Sequence, residues 1–429
     1  MTTDTLRAPP RVLNPLKRLS ALRTQREFLA CAARLAIRQP SVGSDATTSG
    51  AMRISRHAAR AKPAPMRRIA PFHIESAETA VPSSLSTPIR PAQADPNRPR
   101  MEPASGVRRV PLRPHEMTDA MTATEDVFVL AHLGVPRIDP ARWSLSIDGL
   151  VRRARTLTLD ELKARPKRTV EAVHQCCGNP LEPTVPTRRV SNVRWGGADL
   201  GALLDEVGID AQGRFLWSYG LDGGDFAGTS CDWFVKDLPL ERLALGNVLL
   251  AYELNGAPLP AEHGFPVRLV VPGYYGTNSV KWLWRLHLAD RRADGPFTTV
   301  FYNDNSGDDE VGGGLPSQRP VWAIAPESLI VAPAPDAVVA AGEPTEIWGW
   351  AWSFHGIATV EISVDGGASF TRATLEQRRG WAWQRFSLSW RPTRRGEAFV
   401  SARAVEAGGA RQPRNGARNS VHTARIIVQ

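Results

Sequence analysis

Apolar and polar positions alternate along the chain in two different rhythms, and the change falls near residue 307. Between residues 111 and 300, strand-like apolar runs are interleaved with short helical ones. Residues 143–147 read as a strand closed by the Asp148-Gly149 turn, and residues 158–164 as a short helix with Thr158 or Asp160 near its start. Residues 200–207 have helical spacing with Gly208 as stop signal, and the β-branched run 267–271 is closed by Pro272-Gly273. Mixed α/β packing follows. Residues 307–320, polar and rich in glycine around Gly312-Gly313-Gly314, read as a connector. Beyond them the runs 346–352, 359–364, 382–390 and 398–404 alternate with period two, and Asp365-Gly366-Gly367 marks a hairpin. Strands at that spacing predict a β-sandwich of about 100 residues. The expected fold class is α+β: a basic tail over 1–110, a mixed α/β domain over 111–305, a linker over 306–320 and an all-β sandwich over 321–429.

The 429 residues are 42 % hydrophobic and 22 % charged, which excludes a wholly disordered, collagen-like or disulfide-scaffold chain. The charge is lopsided. Residues 1–110 hold 19 Lys/Arg against 7 Asp/Glu, a net of +12, which leaves residues 111–429 at −2. All thirteen Trp and all five Tyr fall after residue 140, and Phe28 and Phe72 are the only aromatics of the first 110 residues. That is too little apolar surface to offset chain entropy, so a disordered tail or a start codon placed too early is the expectation there. Its basic residues lie among Pro, Ala and Ser without zinc-ligand spacing or interleaved aromatics, so no nucleic-acid partner is expected. No run approaches the roughly 18 apolar residues of a membrane span, and Arg67-Arg68 precedes no apolar run. A cytoplasmic location is the expectation, while residues 1–40, Arg-rich and acid-poor, are also compatible with an organellar transit peptide. Cys31, the adjacent pair Cys176-Cys177 and Cys231 give no disulfide framework.

Two segments carry candidate chemistry. His174-Gln175-Cys176-Cys177-Gly178-Asn179 follows a strand-like run over 169–173. It sets a thiol at a strand end beside a glycine: a soft ligand for one metal centre, or a small buried hydrophobe. Then His263-Gly264-Phe265-Pro266-Val267-Arg268, Val271-Pro272-Gly273 and Thr277-Asn278-Ser279-Val280-Lys281-Trp282 place His, Arg, Ser and Lys around two glycine-containing turns within twenty residues. That pattern suits a phosphate-bearing cofactor, the alternative being a basic surface loop packing its stems on Trp282.

Taken together these motifs resemble the sulfite oxidase family of molybdopterin-dependent oxidoreductases. The family's Gln-Cys-Ala-Gly-Asn loop stands here at 175–179, its Trp-x-Gly-x-x-Leu at 195–200, its His-Gly-Phe-Pro-x-Arg-x-x-x-Pro-Gly at 263–273, and its Val-Lys-Trp at 280–282, in the same order. The likeness runs from about Phe128 to the C-terminus. Residues 360–367 and 403–413 look like the family's C-terminal immunoglobulin-like dimerisation domain, which implies a homodimer. The resemblance implies a molybdenum cofactor with Cys176 as metal ligand and catalytic residue, and two-electron oxygen-atom transfer at a Cys-ligated oxo-molybdenum centre. It carries His132, Asp222, His263, Arg268, Ser279, Val280 and Lys281 over as cofactor-binding residues and Tyr302 as the active-site tyrosine. Cys177 takes the place of a small residue and is read as packing.

The departures lie in the substrate pocket. Where family sulfite oxidases carry Arg-Asn before the pterin histidine, this chain has Leu130-Ala131, and where they follow Gly-Asn with two arginines it has Pro180-Leu181. Val185 or a neighbour stands in place of the pocket tryptophan, and the arginine expected near the C-terminus is open between Arg414, Arg418 and Arg425. Arg188 and Arg189, in the loop after the cysteine, either re-enter the pocket as replacements for the lost cations or are solvated or phosphate-facing. No heme, flavin or nicotinamide module is legible, so electrons are expected to leave to a separate acceptor. Three readings stand: a sulfite or sulfur-oxyanion enzyme, the same cofactor acting on a neutral or organic oxide, and an inactive scaffold that has kept the fold.

Overall fold

Strand pairing begins ahead of residue 111: Met101–Glu102 pairs with Val135–Pro136, and Gly106–Arg109 with Val129–Ala131. The computed structural model describes residues 99–102, 106–179, 185–305, 318–414 and 418–429, all in one compact unit. Most of the expected tail, most of the expected linker, and Pro180-Leu181 lie outside the described residues.

Two five-stranded sheets build the first half. One contains β1 (Ser144–Gly149), β2 (Arg155–Thr158), β5 (Phe215–Gly220), β6 (Val235–Pro239) and β9 (Leu283–Ala289) in the spatial order β6-β5-β9-β1-β2, with only β9 and β1 parallel. The other contains β3 (Lys167–Gln175), β4 (Val190–Asp199) and β7 (Leu249–Leu254), with β8 (Arg268–Val270) and the short strand Ala257–Pro258 on β7. β4 crosses β7 so closely that a Cβ on Gly197 would collide with the Leu250 carbonyl, so only glycine fits there.

Helix α1 (Leu159–Lys163) starts at Thr158, not Asp160, because Thr158 Oγ1 accepts from the Glu161 amide while the Glu161 carboxylate accepts from the Thr158 amide at 2.8 Å. Helix α2 (Leu200–Val207) is capped by Asp199, whose Oδ1 accepts from the Ala202 amide at 3.0 Å, and is stopped by Gly208 at φ +70°. With α3 (Pro296–Thr299) these are the only α-helices among the described residues. The chain is therefore mostly β with few helices, and the α share expected of an α+β protein shrinks to these short pieces.

After residue 320 the chain forms two further sheets. β10 (Glu327–Ala332), β11 (Thr345–Trp352) and β13 (Gln384–Trp390) lie in one, and β12 (Ile357–Ser363), β14 (Gly396–Glu406) and β15 (Thr423–Val428) in the other. Ile347 and Phe386 from the first sheet share a core with Val360, Val400 and Ile426 from the second. The period of two turns alternate residues of β11 the other way, where Trp350 and Trp352 join Val173, Leu133 and Cys176 of the first half in a larger core. Three indole N–H groups fix that junction: Trp350 donates to the Met117 carbonyl at 2.8 Å, Trp352 to Gln175 Oε1 at 2.7 Å and Trp383 to the Ala120 carbonyl at 2.9 Å. The sheet carrying β10 and β11 is thus apolar on both faces.

Candidate active site

One cavity of about 80 Å³ is lined by all nine residues singled out in the sequence: His132, Cys176, Asp222, His263, Arg268, Ser279, Val280, Lys281 and Tyr302. They come from the loops that leave the strands. Cys176 follows β3, Asp222 follows β5, Arg268 opens β8, the turn bearing Ser279, Val280 and Lys281 leads into β9, and Tyr302 follows α3.

Arg268 organises the first wall. It is fully buried over the Trp195 ring, 4.8 Å from its centroid, and donates from Nη1 to the His263 carbonyl at 3.0 Å and from Nη2 to the Ser279 carbonyl at 2.8 Å. Burial pulls its pKa down to about 9. Ser279 Oγ accepts from the Val271 amide at 3.0 Å, and Lys281 Nζ donates to the carbonyls of Leu130 and Glu262 at 2.8 and 3.0 Å. Burial, then the Arg268 and Lys281 charges, hold His263 neutral with a pKa near 3. Burial lifts the Asp222 carboxyl to about 7 against the pull of Lys281.

Cys176 sits on the opposite wall, in a turn tied to the chain by its own amide, which donates to the Arg189 carbonyl at 2.9 Å. Its thiol is held down to about 6 by a hydrogen bond with Cys177, against burial, with help from the Arg189 guanidinium and the Gly178 amide. Arg189 is buried, bonds the Gly178 carbonyl at 2.8 Å, and so turns inward to the cysteine loop; Arg188 is buried too and is spent on the carbonyls of Val185 and Thr187. Neither is solvated. Of the three C-terminal arginines left open, Arg418 reaches this turn: its Nε donates to the Cys177 carbonyl at 2.9 Å while both Nη atoms bond Asp304 at 2.8 Å. Arg425 instead pairs with Asp336 and Glu397 at the surface.

The third wall is aromatic. Tyr302, at φ +62°, hydrogen-bonds its hydroxyl to His132 Nε2, and the His132 ring packs on Phe226, Phe234 and Phe297. Burial, then Lys281 and Arg189, keep His132 neutral at a pKa of about 3. Lys236, fully buried, lies over the Tyr302 ring at 5.6 Å. Its ammonium makes one hydrogen bond among the described residues, to the Phe297 carbonyl at 2.9 Å, and the adjacent Asp237 is taken by Arg292 at 2.8 Å. Burial lowers the Lys236 pKa to about 8. No sequence motif marked this lysine, and β6, buried at 236, 237 and 238 alike, carries no alternation that would have found it. His174 and Thr277, from motifs already quoted, and Gly276, beside the second of them, also line the cavity.

Residues 132–297 match the model of the oxidoreductase molybdopterin binding domain, and residues 318–424 that of the Mo-co oxidoreductase dimerisation domain. The chain belongs to the sulfite oxidase family of molybdenum-cofactor oxidoreductases. It is 33 % identical over 321 residues to the mitochondrial sulfite oxidase of Mus musculus, a match covering 68 % of this chain and 57 % of that one. It is 35 % identical over 297 residues to sulfite oxidase of Gallus gallus, covering 63 % of each. The chain thus spans less than two thirds of the length of these relatives. The crystal structure of the sulfane dehydrogenase SoxCD from Paracoccus pantotrophus is similar at a TM-score of 0.62 and 28 % identity, over 72 % of this chain and 82 % of that one. Leu130 and Ala131, the pair at which the sequence departs from the expected Arg-Asn, line the cavity of this member of the family. No helix among the described residues is long and apolar enough to cross a membrane.

Proposed function

We propose that this cavity binds the molybdenum cofactor with Cys176 as the protein's ligand to the metal, and that the chain oxidises a small sulfur oxyanion, sulfite first. The observation that carries the reading is the meeting of the Cys176 turn with the His263–Arg268 and Thr277–Lys281 turns in one cavity. The donor set fits a pterin cofactor. His263 Nε2, Thr277 Oγ1 and Arg268 Nε are buried polar atoms without a partner among the described residues, as expected of groups that face a polar ligand. A Cβ on Gly276 would come within 2.9 Å of the His174 ring, so glycine lets this turn pack against His174 at the cavity lining. No cluster of three or more metal-ligating side chains occurs among the described residues, so a metal beside Cys176 needs most of its ligands from a bound group.

When bound, that cofactor supplies two more sulfur ligands and a metal that takes up two electrons in oxygen-atom transfer. The chain's residues position and neutralise. Arg268 and Lys281 place positive charge at the cofactor's phosphate side, the neutral imidazole of His263 offers a ring nitrogen to the pterin, and Asp222 supplies a carboxyl facing Lys281. Tyr302, oriented by His132, presents its hydroxyl where substrate approaches Cys176, and Phe234, packed on Phe297 and through it on Phe226, keeps water from that side. Lys236, behind Tyr302, and Arg189, behind the cysteine turn, lend positive charge from outside the cavity lining to the end that a sulfur oxyanion would enter, in the absence of arginine at 130 and 131. Leu130 and Ala131 favour a second reading, a neutral organic oxide as substrate. The residue 321–429 portion we read as an immunoglobulin-like sandwich that forms the homodimer, and a separate protein or small molecule as electron acceptor.

Metal analysis and optical titration test this. Molybdenum in the purified protein, bleached by sulfite and not reoxidised by sulfoxides or N-oxides, is the expected result. Reoxidation of the dithionite-reduced metal by those oxides, with no response of the oxidised metal to sulfite, would transfer the assignment to the second reading, and protein without metal from a cofactor-competent host would leave the scaffold.

A further inference from the structure

The turn that carries Cys176 is gripped from the C-terminal sheets. Gln175 and Asn179, which flank Cys176-Cys177-Gly178, are fully buried, and their side-chain amides turn away from the cavity toward Glu327 at the start of β10. Gln175 Nε2 donates to Glu327 Oε2, and Asn179 Nδ2 to Glu327 Oε1 at 3.4 Å, so each carboxyl oxygen holds one end of the turn. The rest of both amides is also committed. Trp352 donates to Gln175 Oε1 at 2.7 Å, Asn419 Oδ1 accepts from Gln175 Nε2 at 3.2 Å, and Asn179 Oδ1 accepts from the Arg189 amide, whose carbonyl in turn holds the Cys176 amide at 2.9 Å. A closed circuit runs from Glu327 through Asn179 and Arg189 back to Cys176.

We propose that Glu327 is a positioning residue, through which the C-terminal sheets fix the direction of the Cys176 sulfur. The inference rests on the reading of Cys176 as metal ligand. A carboxyl is the side chain the circuit requires. Each of its oxygens, the hydroxyl oxygen of the protonated acid included, carries a lone pair that accepts, whereas the NH₂ of a glutamine at 327 accepts nothing and would face the NH₂ of either Gln175 or Asn179, a buried donor facing a donor. The geometry also names its own repair. With aspartate at 179, a glutamine at 327 regains an acceptor for its NH₂, the second carboxylate oxygen still accepts from the Arg189 amide, and the number of acidic groups in the pocket is unchanged.

The test compares wild type, Glu327→Gln, and Glu327→Gln combined with Asn179→Asp. Two readouts are used: the electron paramagnetic resonance signal of the one-electron-reduced holoenzyme, and the alkylation rate of Cys176 by iodoacetamide in cofactor-free protein, located by peptide mass spectrometry. The single variant is expected to shift the signal and to alkylate about tenfold faster, the order expected for one lost buried hydrogen bond, with melting temperature checked alongside. The double variant is expected to restore both. An unchanged signal and rate in a folded single variant, or a double variant that restores neither, would overturn the proposal. Should the single variant fail to fold, the double variant decides: wild-type signal and rate support the circuit, and altered ones overturn it. A wild-type protein that takes up no molybdenum would refute the cofactor reading, and the alkylation rates would then still judge Glu327.

Discussion

At the scale of single residues the site is defined by which buried charges have partners. Arg292 and Arg418 meet Asp237 and Asp304, but Lys236 keeps an ammonium against one carbonyl beneath Tyr302. A buried cation held by one carbonyl, with the neighbouring Asp237 charge shared with Arg292, gains from an anion that joins it. Lys236→Met is therefore expected to raise the KM for sulfite about tenfold or more while the melting temperature does not fall, in steady-state kinetics paired with a thermal melt. An unchanged KM would remove Lys236 from the substrate end. Cys176→Ser is expected to abolish metal-dependent turnover and to strip most molybdenum from the purified protein, measured by elemental analysis, because in this reading Cys176 supplies the protein's sulfur to a soft metal. Serine variants that keep full metal content and activity would contradict the ligand assignment.

At the scale of elements, close approach and burial decide what each strand tolerates. The β4–β7 contact leaves no room at Gly197, so Gly197→Ala is expected to cost about 2–3 kcal/mol in denaturant unfolding by prising the two strands apart. A change below about 0.5 kcal/mol would mean that the strands part freely. At the start of β10, burial raises the Glu327 carboxyl to about 8, with Arg188, Gln175 and Asn179 opposing. The folded chain thus keeps a proton that the unfolded chain has lost, so this contribution to stability is complete below the usual carboxyl pKa and disappears as pH rises through about 8. The stability advantage of the cofactor-free wild type over Glu327→Gln is accordingly expected to narrow steadily from pH 5 to pH 8 in thermal melts. An advantage that widens over that range would show that the buried group is ionised in the fold. The short α1 and α2 show how far local signals reach: cap and stop residues placed both, and the hydroxyl geometry at Thr158 settled which cap α1 uses.

At the scale of the whole molecule, the two halves are one packing problem. Trp350, Trp352 and Trp383 turn their indoles into the first half, so a chain cut at residue 320 would leave that face bare. Such a truncation is expected to lose cooperative unfolding and solubility; a sharp melt from the truncated chain would show the halves to be independent. Light scattering of the full chain is expected to give twice the mass of one chain, in keeping with the matched dimerisation domain. The amino-acid sequence by itself determined several strands of each half, the two short helices and the stop of α2, the family, and the nine residues of the cavity, because each is written in short-range spacing or in a contiguous motif. Tertiary structure alone decided that Arg189 turns inward, that Arg418 and not Arg425 reaches the cysteine turn, and that Lys236 lies under Tyr302. It also decided that Glu327 closes a circuit with residues some 150 positions earlier. Those relations join side chains distant in the chain, and no local pattern records which buried charge will face which turn once two sheets share a core.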